Sequence, residues 1–124
     1  MVLLVTGVAG FVGAHVAQAL LARGERVVGL DNLNSYYSPA LKQARLARLQ
    51  QQAGFSFHQL DVSNPEALEA LRQAEPDIRG IFHMAAQAGV RYSLKDPYVF
   101  AGTNVCGHVA VLEFARRLRR LDHL

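Results

Sequence analysis

The chain has 124 residues, which is enough for one domain with a single core. Its composition, with 51% apolar and 19% charged residues, is that of an ordinary globular protein. The net charge of +3 is small and no aromatic-rich basic stretch accompanies it, so we expect no nucleic-acid partner. The single cysteine, Cys106, excludes an internal disulfide, and no apolar stretch could span a bilayer. We therefore expect a soluble cytoplasmic protein without a membrane partner.

Apolar runs alternate with helical patterns along the chain. Ser63-Asn64-Pro65 predicts a helix start, with Asn64 as the N-cap and Pro65 at the first helical position. Alternation of this kind predicts an α/β fold with a parallel sheet, right-handed crossovers and helices on both faces. The predicted elements are strand 2–5, helix 11–23, strand 26–30, helix 40–52, strand 55–60, helix 65–74, strand 80–84 and helix 99–121.

The most informative segment is the glycine-rich turn after the first strand. Gly7, Gly10 and Gly13 recur at a spacing of three between an apolar run and a helical pattern. We expect Gly7 to allow a sharp turn, Gly10 to let the backbone approach a ligand, and Gly13 to let the helix lie close to the strand. The free amides and the positive dipole end of that helix would then face a pyrophosphate.

An acidic residue, Asp31, follows Gly13 by 18 positions, at the end of the second apolar run. A carboxylate there can accept hydrogen bonds from both hydroxyls of an adenosine ribose and would repel a 2′-phosphate. The combination of strand, glycines, helix and acid predicts a dinucleotide site that prefers NAD to NADP. The alternative is a glycine turn without a ligand and a solvated aspartate.

The unusual segments all follow predicted strands. They are the glycine turn, residues 31–39, Asp61-Val62 and residues 84–93. Ligands of open parallel sheets bind beyond the carboxyl ends of the strands, so we expect these four segments to converge on one site.

These motifs together resemble a known family. Thr6-Gly-x-x-Gly-Phe-x-Gly13, Asp31-Asn-Leu-Asn34, Leu60-Asp-Val62 and His83-Met-Ala-Ala-Gln-Ala88 are similar to those of the extended short-chain dehydrogenase/reductases. Within that superfamily, the strings 31–42 and 88–93 resemble nucleotide-sugar epimerases of the UDP-glucuronate 4-epimerase type. The resemblance implies a Rossmann-type three-layer fold with a truncated four-stranded sheet in the order 3-2-1-4. It also implies that residues 1–124 are the N-terminal part of an NAD-binding domain, without a C-terminal substrate domain.

The resemblance also assigns cofactor contacts by position. It implies that the glycine turn holds the pyrophosphate, that residues after the second strand hold the adenosine ribose, that those after the third strand read adenine, and that those after the fourth line the other side. The implied NAD-binding residues are Gly7, Gly10, Phe11, Val12, Gly13, Asp31, Asn32, Asn34, Ser35, Asp61, Val62, Met84, Ala85, Ala86, Gln87 and Asn104.

Four residues have two interpretations each. Asn104 matches a family asparagine that fixes the strand-end geometry, and it is equally a helical surface or buried polar residue. Arg91 could reach a substrate phosphate or sugar carboxylate, or could be a surface loop arginine. Tyr36 and Tyr37 either cover the adenosine or pack within a long loop. The five histidines show no metal-ligand spacing, and we expect no metal.

The chain departs from the family in its catalytic residues. The family's chemistry needs a Tyr-x-x-x-Lys pair, and none of the four tyrosines has a lysine four positions later. We therefore expect an N-terminal piece of an epimerase that is inactive alone and binds NAD weakly. The alternatives are a piece of a sugar-nucleotide dehydratase or reductase, and a free-standing NAD-binding or interaction module.

The order 3-2-1-4 leaves the fourth strand at an edge, although its sequence is that of an interior strand. An unprotected apolar edge pairs with other chains. We therefore expect self-association or a homodimer through this edge, and a nucleotide-sugar substrate only in the complete protein.

Overall fold

The computed structural model describes all 124 residues and shows a four-stranded parallel sheet in the order β3-β2-β1-β4. The predicted Rossmann-type fold is therefore confirmed. None of the helices has the length and apolar character needed to cross a bilayer. The elements are β1 (Val2–Thr6), α1 (Phe11–Ala22), β2 (Arg26–Asp31), α2 (Pro39–Gln50), β3 (Phe55–Gln59), α3 (Pro65–Ala74), β4 (Ile78–His83), a 3₁₀ turn (Tyr92–Leu94), α4 (Pro97–Phe100), a π-helix (Ala101–Cys106) and α5 (Gly107–Arg117).

Two hydrophobic clusters cover the two faces of the sheet, because successive side chains of a strand point to opposite faces. Leu4 of β1 belongs to the cluster that includes Phe114 of α5 and Leu68 of α3. Its neighbours Leu3 and Val5 belong to the other cluster, with apolar residues of α1 and α2. Because both faces are covered, a ligand can reach the sheet only at the ends of its strands.

The start of α3 follows the sequence prediction. The Asn64 side chain accepts a hydrogen bond of 3.1 Å from the amide of Ala67, and Pro65 occupies the first helical position. The cap satisfies an amide that the helix itself leaves without a partner. This prediction is confirmed.

The last helix ends earlier than predicted. We expected it to extend to Leu121, but α5 ends at Arg117 because the backbone of Leu118 becomes extended, with ψ of 145°. Leu118 is buried in the cluster that holds Phe114. The apolar spacing that predicts a continuous helix therefore reflects a leucine that enters the core from an extended segment.

The edge of β4 is not unprotected, so that part of our interpretation is wrong. Residues after α5 return alongside the strand: the amide of Asp122 donates to the carbonyl of Arg79 at 2.8 Å, and the amide of Ile81 donates to the carbonyl of His123 at 3.0 Å. The Arg79 guanidinium also pairs with the Asp122 carboxylate. Two main-chain groups on this edge, the carbonyl of Arg79 and the amide of Ile81, are thus bonded within the chain, and the homodimer stays a prediction.

A buried carboxylate joins three elements at the opposite end of the sheet. Glu75, at the end of α3, is 8% exposed and accepts a hydrogen bond of 2.6 Å from the guanidinium of Arg26 in β2. Its other oxygen accepts from the hydroxyl of Ser56 in β3 at 3.3 Å. Replacing one oxygen of this buried carboxylate by an amide NH₂ would turn an acceptor into a donor that faces the guanidinium or the hydroxyl, which costs more free energy than a single hydrogen bond contributes.

We expect Glu75→Gln to lower the free energy of unfolding by about 1–3 kcal/mol. Glu66→Gln, in the exposed first turn of the same helix, is the matched control and should change it by about 0.5 kcal/mol or less. Urea unfolding followed by circular dichroism measures both. Equal effects of the two variants would contradict a bridging role for Glu75.

Candidate functional site

A cleft of about 230 Å³ lies beyond the carboxyl ends of β1, β2 and β4. All four segments singled out in the sequence contribute to it or border it. Thirteen of the predicted site residues line it: Gly7, Gly10, Phe11, Val12, Gly13, Asp31, Asn32, Asn34, Val62, Met84, Ala85, Ala86 and Gln87.

The glycine turn has the geometry that its sequence predicts. Gly7 has φ of +65°, and a Cβ there would lie 2.8 Å from the amide nitrogen of Ala85, in the loop after β4. A Cβ at Gly13 would overlap the carbonyl oxygen of Gly7. Both positions therefore exclude a side chain, and the first turn of α1 lies directly on the end of β1.

The start of α1 carries amides without partners. Gly10 is the N-cap and provides no side chain to bond them, and no main-chain carbonyl accepts from the amides of Phe11, Val12 and Gly13. These three residues line the cleft. Free amides and the positive end of the helix dipole at an open cleft form a site for an anion.

Asp31 has a structural role that the sequence did not reveal. Its side chain is buried, with one oxygen accepting from the amide of Ala9 at 3.0 Å and the other from the amide of Leu33 at 2.8 Å. It thus fixes both the glycine turn and the loop after β2, in which Leu33 has φ of +55°. Each oxygen has a second lone pair, so the carboxylate can still accept from a ligand hydroxyl.

Asp61 and Ser35 do not line the cleft. The Asp61 carboxylate accepts from the side-chain amide of Asn32 at 3.1 Å and from the amide of Ser63 at 2.8 Å. Burial opposes its ionisation, but the hydrogen bonds from Ser63 and Asn32 outweigh burial and hold the pKa of Asp61 below its ordinary value. Asp61 is therefore an ionised group that orients Asn32, and Ser35 is exposed to solvent beside the loop.

Asn104 forms two hydrogen bonds with the backbone of Gln87, in the wall of the cleft opposite the glycine turn. Its side-chain oxygen accepts from the amide of Gln87 at 2.8 Å, and its side-chain nitrogen donates to the carbonyl of Gln87 at 3.0 Å. It lies in the π-helix, whose wider turn is a common feature of functional sites. Asn104 does not line the cleft, so its contact supports the interpretation that it fixes the strand-end geometry.

A hydroxyl and two imidazoles hold the end of β4. The buried Thr6 hydroxyl oxygen accepts from the amide of Ala85 at 3.0 Å and shares a hydrogen bond of 2.8 Å with Nδ1 of His83. The His83 ring stacks on that of His108, with 5.3 Å between centroids. Burial first, and then the charge of His108, hold the pKa of His83 below its ordinary value.

Several cleft residues lack any signal in the sequence. Lys42 and Thr103 come from helical segments, where polar residues are ordinarily on the surface. Tyr36 and Tyr37 line the cleft, and Tyr36 also packs against Tyr92 with 5.0 Å between ring centroids. Packing within the loop is therefore observed for Tyr36, and the cover of an adenosine by the two tyrosines stays a prediction. Leu30, Leu60 and Ala88 complete the lining.

Arg91 lies outside the cleft. It is exposed, and none of the ion pairs includes it. Its surface position agrees with the interpretation as a loop arginine.

A family model described as GDP-mannose 4,6 dehydratase matches residues 4–123. The chain belongs to this family. The match confirms the resemblance to the NAD-dependent epimerases and dehydratases of the extended short-chain dehydrogenase/reductases.

Individual relatives agree with this assignment. A UDP-glucuronate 4-epimerase of Thermodesulfobacterium geofontis is 42% identical over 91% of the chain and 35% of its own length. The structure of a Bacillus cereus UDP-glucuronic acid 4-epimerase, in complex with UDP-glucuronic acid and NAD, is 35% identical with a TM-score of 0.88, over 99% of this chain and 39% of that one. The dTDP-glucose 4,6-dehydratase of Streptomyces venezuelae is 31% identical with a TM-score of 0.79, over 93% and 35%. The chain thus spans little more than a third of the length of these relatives.

The lowered pKa of His83 predicts a dependence of stability on pH. The unfolded chain, with an ordinary histidine pKa of about 6.5, binds the proton more readily than the folded chain. Stability from this group is therefore present above about pH 6.5 and lost as the pH falls through the lowered value of the folded state. Urea unfolding at about pH 7.5 and about pH 5 measures the change.

The matched variant is His83→Asn, whose side-chain oxygen can replace Nδ1 as the partner of the Thr6 hydroxyl but cannot be protonated. We expect the loss of stability between the two pH values to be smaller in this variant. An equal loss would show that other groups cause it.

Proposed function

We propose that the cleft binds the adenosine diphosphate half of NAD. The observation that carries this proposal is the set of unbonded amides at Phe11, Val12 and Gly13, which lie in the same cleft as the Asp31 carboxylate. Amides in that position suit a pyrophosphate, and a carboxylate beyond them suits a ribose diol.

Different walls of the cleft contact different parts of the proposed ligand. The pyrophosphate lies on Gly7, Gly10 and the α1 amides. The ribose hydroxyls donate to the Asp31 carboxylate, and Asn32 and Asn34 lie beside the ribose. Adenine lies against Leu60 and Val62, where Asp61 contributes by holding Asn32, and Ser35 borders the ribose loop. Met84, Ala85, Ala86 and Gln87 form the opposite wall, which Asn104 holds in place.

We further infer that the complete protein is a nucleotide-sugar 4-epimerase of the UDP-glucuronate type. The relatives of that name, at 42% and 35% identity, support this inference. Such a reaction oxidises and then reduces the sugar at C4 through bound NAD, and it requires a base at the hydroxyl. These 124 residues contain no Tyr-x-x-x-Lys pair. The role of the chain in that reaction is to bind and orient the cofactor.

The Streptomyces venezuelae relative supports a second candidate, a sugar-nucleotide dehydratase, because it shares this part of the fold. A free-standing NAD-binding module is the third. A reading frame that continues past Leu124 into a Tyr-x-x-x-Lys motif would favour an enzyme, and its substrate contacts would separate epimerase from dehydratase.

The purified 124-residue chain is expected to produce no UDP-galacturonate from UDP-glucuronate and NAD, because the catalytic pair is not within it. Chromatography of the sugar nucleotides after prolonged incubation measures this. Conversion above that of a heat-denatured sample would refute the assignment of catalysis to other residues.

Calorimetry tests the cofactor site directly. We expect NAD to bind at least about tenfold more tightly than NADP, because the Asp31 carboxylate would repel a 2′-phosphate. Gly10→Ala should weaken NAD binding by about tenfold or more, since its Cβ would lie 3.1 Å from the Gly7 carbonyl oxygen, at the phosphate site.

The matched control is Gly102→Ala, because a Cβ at Gly102 meets no atom within 4 Å. It should bind NAD as the unchanged chain does. Equal affinity for NAD and NADP would contradict the role of Asp31, and no binding of either would contradict the proposed function.

A further inference from the structure

Lys42 is a buried lysine that lines an open cleft. It is the fourth residue of α2 and is only 5% exposed, although lysine is among the residues least often buried. Its ammonium donates a hydrogen bond of 2.9 Å to the side-chain oxygen of Asn34 and lies 4.9 Å from the centroid of the Tyr37 ring. Both neighbours also line the cleft.

No carboxylate pairs with this ammonium. None of the ion pairs within the chain includes Lys42, and Asp31, the acidic residue of the same cleft, bonds the amides of Ala9 and Leu33 instead. A neutral amide oxygen and an aromatic ring compensate a buried positive charge only partly. Of the three donors of the ammonium, one is used by Asn34, so the remaining donors are available to an anion in the cleft.

The position of Tyr37 indicates which anion this is. The Tyr37 hydroxyl lies 3.7 Å from where a Cβ of Gly10 would be, next to the free amides of α1. The Lys42 ammonium and Gly10 thus neighbour the same tyrosine side chain. A 2′-phosphate would instead lie at Asp31, where like charges repel.

We propose that Lys42 binds the 5′-diphosphate of an adenine nucleotide, together with the amides at the start of α1. This proposal rests on the proposed function, because it adds a residue to the same site. Lys42 then supplies the full positive charge, and the amides supply the fixed hydrogen-bond donors. Asn34 positions the ammonium, which assigns to that residue a role beyond the ribose.

The test compares ligands that differ only in their phosphates. Adenosine, ADP and 2′,5′-ADP are titrated by calorimetry into the unchanged chain and into Lys42→Met, which keeps the length of the side chain but removes its charge. Lys95→Met is the matched control, because Lys95 is exposed, lies outside the cleft and is the one other lysine. Thermal unfolding by circular dichroism checks that each variant is folded.

We expect Lys42→Met to lower the affinity for ADP by about tenfold or more and the affinity for adenosine by less than about twofold. Lys95→Met should change neither affinity. Lys42→Arg should recover part of the ADP affinity. Equal ADP affinity in Lys42→Met and the unchanged chain would overturn the role of Lys42 and leave the proposed function intact. A loss confined to 2′,5′-ADP would overturn the 5′ assignment. If the unchanged chain binds neither ADP nor NAD, both proposals fail.

A second measurement needs no variant of Lys42. With ¹³C-labelled lysine the chain gives two lysine Cε signals, which Lys95→Met assigns. ADP, but not adenosine, should shift the Lys42 signal. Absence of an ADP-specific shift at saturation would contradict the contact.

Discussion

The contact between the first turn of α1 and the carbonyl of Gly7 determines the rest of the site. Because neither Gly13 nor Gly7 has a side chain, the helix begins directly on the end of β1, and its unbonded amides open into the cleft. A longer connection would turn those amides toward water, where they would provide no organised anion site. The depth of the cleft, the direction of the helix dipole and the proximity of Asp31 all depend on this close approach.

The polar residues at the strand ends combine support of the backbone with exposure to the ligand. Asp31 fixes the glycine turn and the loop after β2, and Thr6 fixes the start of the loop after β4. Asn104 fixes the same loop from the π-helix. Because these hydrogen bonds already exist within the chain, a ligand meets donors and acceptors that need little reorganisation, which lowers the entropy cost of binding.

The fold could be predicted from local patterns, since the order of strands and helices, the Asn64 cap and the glycine turn are each encoded within a few residues. What could not be predicted depends on long-range contacts. Leu118 fits a helical pattern but is extended, because residues 122–123 pair with β4. Asp61 matches a family ligand, but the sequence does not reveal that its carboxylate also accepts hydrogen bonds from Ser63 and Asn32. Lys42 ends the string 31–42 that resembles the family, but helical spacing does not predict its burial, which involves Asn34 and Tyr37 of the preceding loop.

Apolar side chains at the mouth of the cleft are exposed to solvent in the free chain. Phe11 is 66% exposed, Val12 56% and Met84 38%, although all three line the cleft. An occupant that covers these side chains would release the water that hydrates them. Association would therefore be accompanied by a negative change in heat capacity, and its enthalpy would become more favourable as the temperature rises.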